Sequence, residues 1–166
     1  ISLNIFILMK LISIITPCYN EEKNIYNCYK EIKSIFSKYK GIYNYEHIIC
    51  DNNSTDQTFK ILKEIAFKDK NIKLIRNSRN YGVFKNNFNG VMAAKGDGVI
   101  LLIPADLQDP PELIPKFLEY WESGYQIVYG IRKKREEFFF LVILRKIYYR
   151  FLSSIANINY PADAGD

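Results

Sequence analysis

Histidine is almost missing from this chain: His47 is the only one in 166 residues. Cysteine is scarce too, and Cys18, Cys28 and Cys50 form an odd set with no CxxC and no nearby histidine pair. That inventory supports neither a disulfide framework nor a zinc site, and a reducing cytosol is the expected setting. Long apolar runs are also lacking. The first fifteen residues are mostly apolar but are interrupted by Lys10, and the run 138–144 falls short of the roughly 20 residues that a membrane-spanning helix needs. No basic segment precedes the first run and no small-residue cleavage site follows it, so a signal peptide is not expected there. A P-loop is absent. Gly96-Asp97-Gly98 precedes an apolar strand and does not open a helix, which argues against a dinucleotide-binding loop.

What is present describes a folding domain. Hydrophobic residues make up 48% and charged residues 25%, the balance of a soluble globular chain, and the length suits one domain. The formal charge of +5 is compatible with a phosphate, a membrane surface or a nucleic acid and does not choose among them. No recognised nucleic-acid motif accompanies the charge, so no nucleic-acid partner is expected. Met9 opens MKLISIITPCYNEE as a natural start would, which leaves residues 1–8 as upstream sequence and 9–166 as the domain.

Residues 11–16 are a continuous β-rich run closed by Pro17, the pattern of a strand buried on both faces. Asn20 then reads as a helix N-cap, with Glu21 and Glu22 in the first turn and Ile25, Cys28, Tyr29, Ile32, Ile35, Phe36 and Tyr39 at helical spacing. Residues 47–50 form the second strand, and Ser54 with Gln57 forms a capping box before a helix to about residue 67. Strands over 72–75 and 99–103 enclose a helix over 81–95 stopped by Gly96. Pro110 and Pro111 start another helix ending near Gly124, before a fifth strand over 126–129. This alternation predicts an α/β fold with a mostly parallel sheet flanked by helices.

Ligands of such sheets collect beyond the carboxyl ends of the strands. Three polar clusters fall there: Thr16-Pro17-Cys18-Tyr19-Asn20-Glu21-Glu22, Asp51-Asn52-Asn53-Ser54-Thr55-Asp56, and Pro104-Ala105-Asp106-Leu107-Gln108-Asp109. Taken singly, each has a plain structural reading as caps or turns. In an extended segment Asp106 and Gln108 share a face and offer two oxygen ligands, which suits Mg²⁺ or Mn²⁺ better than zinc. His47 lies inside a strand and reads as a core residue.

The strings SIITPCYNEEKNI (13–25), CDNNSTDQT (50–58), RNYGVFKNNFNGVMAAKGD (79–97), ADLQDPPELI (105–114) and YGIRKKRE (129–136) resemble the family 2 glycosyltransferases of GT-A fold. The likeness is strongest to their polyprenyl-phosphate branch, the dolichol-phosphate mannosyltransferases among them. It implies that Pro17, Tyr19, Asn20, Glu21, Asp51 and Asn52 hold a UDP- or GDP-linked sugar. It further implies that Asp106 and Gln108 hold the metal, Asp106 also meeting the donor, and that Arg132 and Arg135 face donor or acceptor phosphates, where a guanidinium fork suits phosphate oxygens. Two positions depart from the family pattern: Pro104 replaces the first aspartate of a DxD-like triplet, and Asn52 stands where many relatives carry a second aspartate.

The implied reaction is an inverting transfer to a polyprenyl phosphate at the inner face of a membrane, for cell-envelope glycan or glycoconjugate synthesis. The apolar run 138–144, flanked by Lys133, Lys134, Arg145 and Lys146, reads either as an interfacial helix or as a core helix with snorkelling cations. By family comparison the chain stops in mid-motif at Asp163-Ala164-Gly165-Asp166, so a truncated catalytic domain is expected. Transfer to a saccharide or protein hydroxyl, and nucleotide binding without turnover, are the alternatives.

Overall fold

The computed structural model describes residues 9–101 and 104–130. Arg132, Arg135, the apolar run 138–144 and residues 163–166 lie outside the described residues, as do Leu102 and Ile103 at the end of the fourth expected strand. The chain divides into two units, Ile1–Leu118 and Glu119–Asp166.

The first unit is built on four parallel strands, β1 (Lys10–Cys18), β2 (Tyr43–Asp51), β3 (Ile72–Arg76) and β4 (Gly98–Ile100), in the spatial order β3-β2-β1-β4. β1 and β2 are longer than their apolar runs, because the pairs Lys10 with Tyr43 and Leu11 with Asn44 extend the ladder whatever their polarity. Pro17 lies inside β1 and does not close it. The carbonyl of Cys18 accepts the Asn52 N–H at 2.9 Å, so the alternating backbone of Pro17 faces away from β2 and the β1–β2 ladder asks no donor of it.

Helices α1 (Ile25–Lys38) and α2 (Thr58–Lys68) cover one face, while α3 (Val83–Ala93) packs on β1 and β2 from the other. The two-residue period of the strands sorts the core accordingly. Cys18, Ile49 and Ile72 meet Ile25, Leu62 and Ile65 on the first face, and Ile15, Ile48 and Cys50 meet Ala93 and Ala94 on the second. Gly90 lets α3 sit close, since a Cβ there would stand 2.5 Å from Ile15 Cγ2 and 2.9 Å from Cys50 Sγ.

His47 is a core residue, as its strand position predicts: it is fully buried, with Nε2 2.9 Å from Thr16 Oγ1. Nδ1 has no partner among the described residues, and burial pushes the imidazole down to about 3, so it is neutral. On the α3 face the buried Glu46 carboxylate accepts from Ser13 Oγ at 2.5 Å, from the Lys95 N–H at 2.7 Å and from Lys73 Nζ. Ser13 Oγ in turn accepts the Gly96 N–H at 2.8 Å, tying the turn before β4 onto β1 and β2.

Two helix starts differ from the sequence reading. α1 begins at Ile25 and not after Asn20, which has a left-handed φ of 58°; α2 begins at Thr58, and Gln57 caps it without a side-chain hydrogen bond. Asn20 and Ser54 do not cap helices because their side chains are engaged across loops. After a 3₁₀ turn over Pro111–Leu113, helix α4 (Ile114–Glu122) buries Ile114 and Leu118.

In the second unit, Gly124 takes φ 98° and donates to the Trp121 carbonyl at 2.9 Å, a left-handed helix ending that glycine allows. Residues 126–129 are not a strand among the described residues. Ile127 there is 82% exposed, and the run pairs with no strand among the described residues, so its apolar character alone does not make it one.

Candidate functional site

The carboxyl ends of β1 and β2 are level, with Cys18 paired to Asp51, so the two following loops emerge side by side. They are joined reciprocally. The Asn20 N–H donates to Ser54 Oγ at 3.0 Å, and Asn20 Oδ1 accepts the Thr55 N–H at 2.9 Å. The Glu21 N–H donates to Thr58 Oγ1 at 2.8 Å, the Glu22 N–H to Asp56 Oδ2 at 3.2 Å, and the Gln57 N–H to Glu22 Oε2 at 3.0 Å. Backbone donors left open where the strands end are thereby satisfied, and the two loops are cross-linked by these five hydrogen bonds.

The third loop reaches the same edge. Ala105 is buried in the cluster that contains Cys18, Ile25 and Ile49, which anchors Asp106 beside the ends of β1 and α1. Each of the three loops carries one non-glycine residue with positive φ: Asn20 at 58°, Asn53 at 64° and Leu107 at 59°. A left-handed leucine costs about 1–2 kcal/mol, and such strain clusters at functional sites.

The sequence-predicted residues of the first two loops are thus brought together. Tyr19 and Asn20 are exposed, and Pro17 and Glu21 are half-buried. Asp51 is fully buried: the Ser54 N–H reaches both its oxygens at 3.2 and 3.3 Å, and Arg76 Nε stands 3.4 Å from Oδ2. Arg76, which the sequence reading did not single out, also lies over the Phe59 ring at 4.1 Å. A cleft of about 480 Å³ opens beside it, lined by Asn53, Thr55, Gln57, Phe59 and Lys63 among others. Asn52 is buried, and its amide is engaged entirely within the protein by Asn77, Asn80, Tyr81 and Gly82.

Asp106 and Gln108 do not share a face of an extended segment. Leu107 turns the chain, its N–H donating to the Pro104 carbonyl at 3.0 Å, and the Gln108 N–H donates to Asp106 Oδ1 at 3.1 Å. Both side chains are exposed, and Asp106 Oδ2 has no partner among the described residues. No three His, Cys, Asp or Glu side chains gather as a metal cage among the described residues. An exposed carboxylate oxygen without a protein partner among the described residues fits a hard cation that keeps most of its positions for water and phosphate, as Mg²⁺ or Mn²⁺ does.

The buried thiols below the edge are inert. Burial, then the charge of Asp51, pushes Cys18 far up; burial pushes Cys28 to about 12 against the Thr16 hydroxyl bond, and Cys50 to about 12. Nothing here resembles an activated nucleophile, and the arrangement suits binding and charge stabilisation.

Among the described residues no helix is long and apolar enough to cross a membrane. The profile of glycosyl transferase family 2 matches residues 13–163. An uncharacterized glycosyltransferase of Bacillus subtilis is 39% identical over 155 residues, covering 93% of this chain and 47% of the relative. A dolichol-phosphate mannosyltransferase of Pyrococcus furiosus is 35% identical over 121 residues, covering 73% and 33%. The chain therefore spans half or less of the length of these relatives. Among solved structures, a Pyrobaculum calidifontis mannosyltransferase in complex with GDP-Man and Mn²⁺ matches with a TM-score of 0.59 at 19% identity, covering 82% of this chain and 39% of that one. Parallel sheet, carboxyl-edge loops and matched profile agree on a GT-A fold, and the chain belongs to glycosyl transferase family 2.

Proposed function

We propose that this chain supplies the donor site of an inverting glycosyltransferase that moves a sugar from a UDP- or GDP-linked donor to a polyprenyl phosphate at the inner face of a membrane. The observation that carries the reading is the convergence of three strand-end loops on one edge, with Asn20, Asp51 and Asp106 on the first, second and third. Pro17, Tyr19, Asn20, Glu21 and Asp51 form the nucleotide end, with Asn52 behind them and its amide spent inside the protein, and the Asp51 carboxylate reads the base. The acceptor class is suggested by the dolichol-phosphate mannosyltransferase relative.

In the reaction the bond from the anomeric carbon to the diphosphate oxygen breaks as an acceptor phosphate oxygen bonds to the opposite face of that carbon. The nucleoside diphosphate leaves with the electron pair. A phosphate oxygen is already anionic near neutral pH, so no strong general base is needed, in keeping with a chain whose one histidine is buried and neutral. Asp106 and Gln108 would hold Mg²⁺ or Mn²⁺, which when bound supplies Lewis-acid stabilisation to the diphosphate. Mn²⁺ accompanies GDP-Man in the Pyrobaculum structure. Arg132 and Arg135 meet donor or acceptor phosphates.

The test is transfer from labelled UDP- and GDP-sugars to a short polyprenyl phosphate, with Mg²⁺ or Mn²⁺ present. The reading expects product with one donor and its loss in Asp106→Ala. Absence of product from every donor, or transfer only to a saccharide hydroxyl, contradicts it.

A further inference from the structure

Asn52 lies at the head of a buried asparagine network that binds three segments of the chain. Its amide makes the four hydrogen bonds that its chemistry allows. Oδ1 accepts from Asn77 Nδ2 at 3.0 Å and from the Tyr81 N–H at 3.0 Å; Nδ2 donates to Asn80 Oδ1 at 2.8 Å and to the Gly82 carbonyl at 3.4 Å. The backbone partners fix which end of the amide is which, because Tyr81 N–H can only donate and Gly82 C=O can only accept. Asn80 is fixed too, its Oδ1 accepting the Gly82 N–H at 2.9 Å.

The network continues inward. Asn77 Nδ2 also donates to Asn86 Oδ1 at 2.8 Å, Asn86 Nδ2 donates to the Cys50 carbonyl at 2.8 Å, and Asn89 Nδ2 donates to Asn77 Oδ1 at 2.9 Å. The Asn77 N–H meets the Asp51 carbonyl at 2.9 Å. The loop between β3 and α3 is thereby tied to the end of β2, and it carries Arg79 stacked over the Tyr81 ring at 4.7 Å beside the residue next to Asp51.

We propose that Asn52 is a positioning residue for the donor site: it touches no donor atom and instead locks the Asn77–Gly82 loop against the edge that holds Asp51. The inference rests on the donor reading given above. A side chain with all four bonds inside the protein has none left for a nucleotide, whereas the loop it holds is exposed at Arg79 and Tyr81. Aspartate at this position would set a carboxylate oxygen against the Gly82 carbonyl and Asn80 Oδ1 with no proton to share.

The test measures UDP-glucose and GDP-mannose binding with Mn²⁺, together with amide exchange over residues 77–86, in the chain and in Asn52→Ala, Asn52→Asp, Asn80→Ala and the Asn52→Ala/Asn80→Ala pair. The expected result is faster exchange and about tenfold weaker binding in each single variant, with the pair no worse than Asn52→Ala because both act through one loop. Asn80 is exposed, so its variant reports even if a buried substitution harms folding. Weaker binding with unchanged exchange, additive losses, or full affinity in Asn52→Asp overturns the proposal in favour of direct contact. Faster exchange with unchanged affinity overturns it in favour of a purely structural role. If the unaltered chain binds neither probe, the donor reading itself fails and this inference falls with it.

Discussion

Asn20 and Ser54 hold each other across two loops: the Asn20 N–H donates to the Ser54 hydroxyl at 3.0 Å, while the Asn20 side chain accepts from Thr55, the residue after Ser54. Ser54→Ala takes the buried hydroxyl away from the part-buried Asn20 N–H. It is expected to cost about 1–2 kcal/mol in urea unfolding and to weaken nucleotide-sugar binding, whereas Thr at 54 restores both. Unchanged stability in the alanine variant would show that the loops do not depend on this lock.

Gly90 sets how closely α3 approaches the sheet. Since a Cβ would stand 2.5 Å from Ile15 Cγ2, Gly90→Ala forces α3 or β1 to move and is expected to destabilise by about 1–3 kcal/mol, despite alanine's better helix propensity. Thermal unfolding measures it, and a gain in stability would contradict the packing.

Acid weakens this fold in two windows. The folded His47 is held at about 3 against an ordinary 6.5, so the unfolded state takes up its proton first and stability falls as pH drops from 6.5 toward 3. Burial alone would raise the Glu46 carboxyl, but its bonds from Lys73, Ser13 and Lys95 outweigh that and hold it below 4.5. Its contribution is therefore complete above 4.5 and lost as pH falls through the lower folded value. His47→Gln should reduce the slope of stability between pH 6.5 and 4.5, by up to about 1.4 kcal/mol per pH unit, leaving the Glu46 window below it. An unchanged slope in urea titrations would contradict the buried neutral imidazole.

The sheet, the helix faces and the loop edge were legible because they follow from apolar periodicity: of the spaced apolar positions of α1, Ile25, Cys28, Ile32, Ile35 and Phe36 are buried, while Tyr29 and Tyr39 are half-buried at the margin of that face. The loop roles were less legible. Asn20 and Ser54 fit local capping rules, yet their partners lie 34 residues apart, a relationship that spacing along the chain does not show. Asparagine is a known left-handed former, so Asn20 and Asn53 carry a faint signal for positive φ, but leucine carries none and Leu107 gave no warning. The asparagines of 77–89 and the isolated Gly90 within a helical pattern were visible signs of close packing. Their mutual bonds required the fold.

The central claim is a nucleotide-sugar site whose cation is held at Asp106. Titration calorimetry of UDP-glucose and GDP-mannose, with and without Mn²⁺, in the unaltered chain and in Asp106→Ala tests it most directly. The account predicts that one donor binds, that Mn²⁺ tightens the binding, and that Asp106→Ala removes the Mn²⁺ effect while the fold, judged by thermal unfolding, is retained. Donor binding that is indifferent to Mn²⁺ and to Asp106→Ala would contradict it.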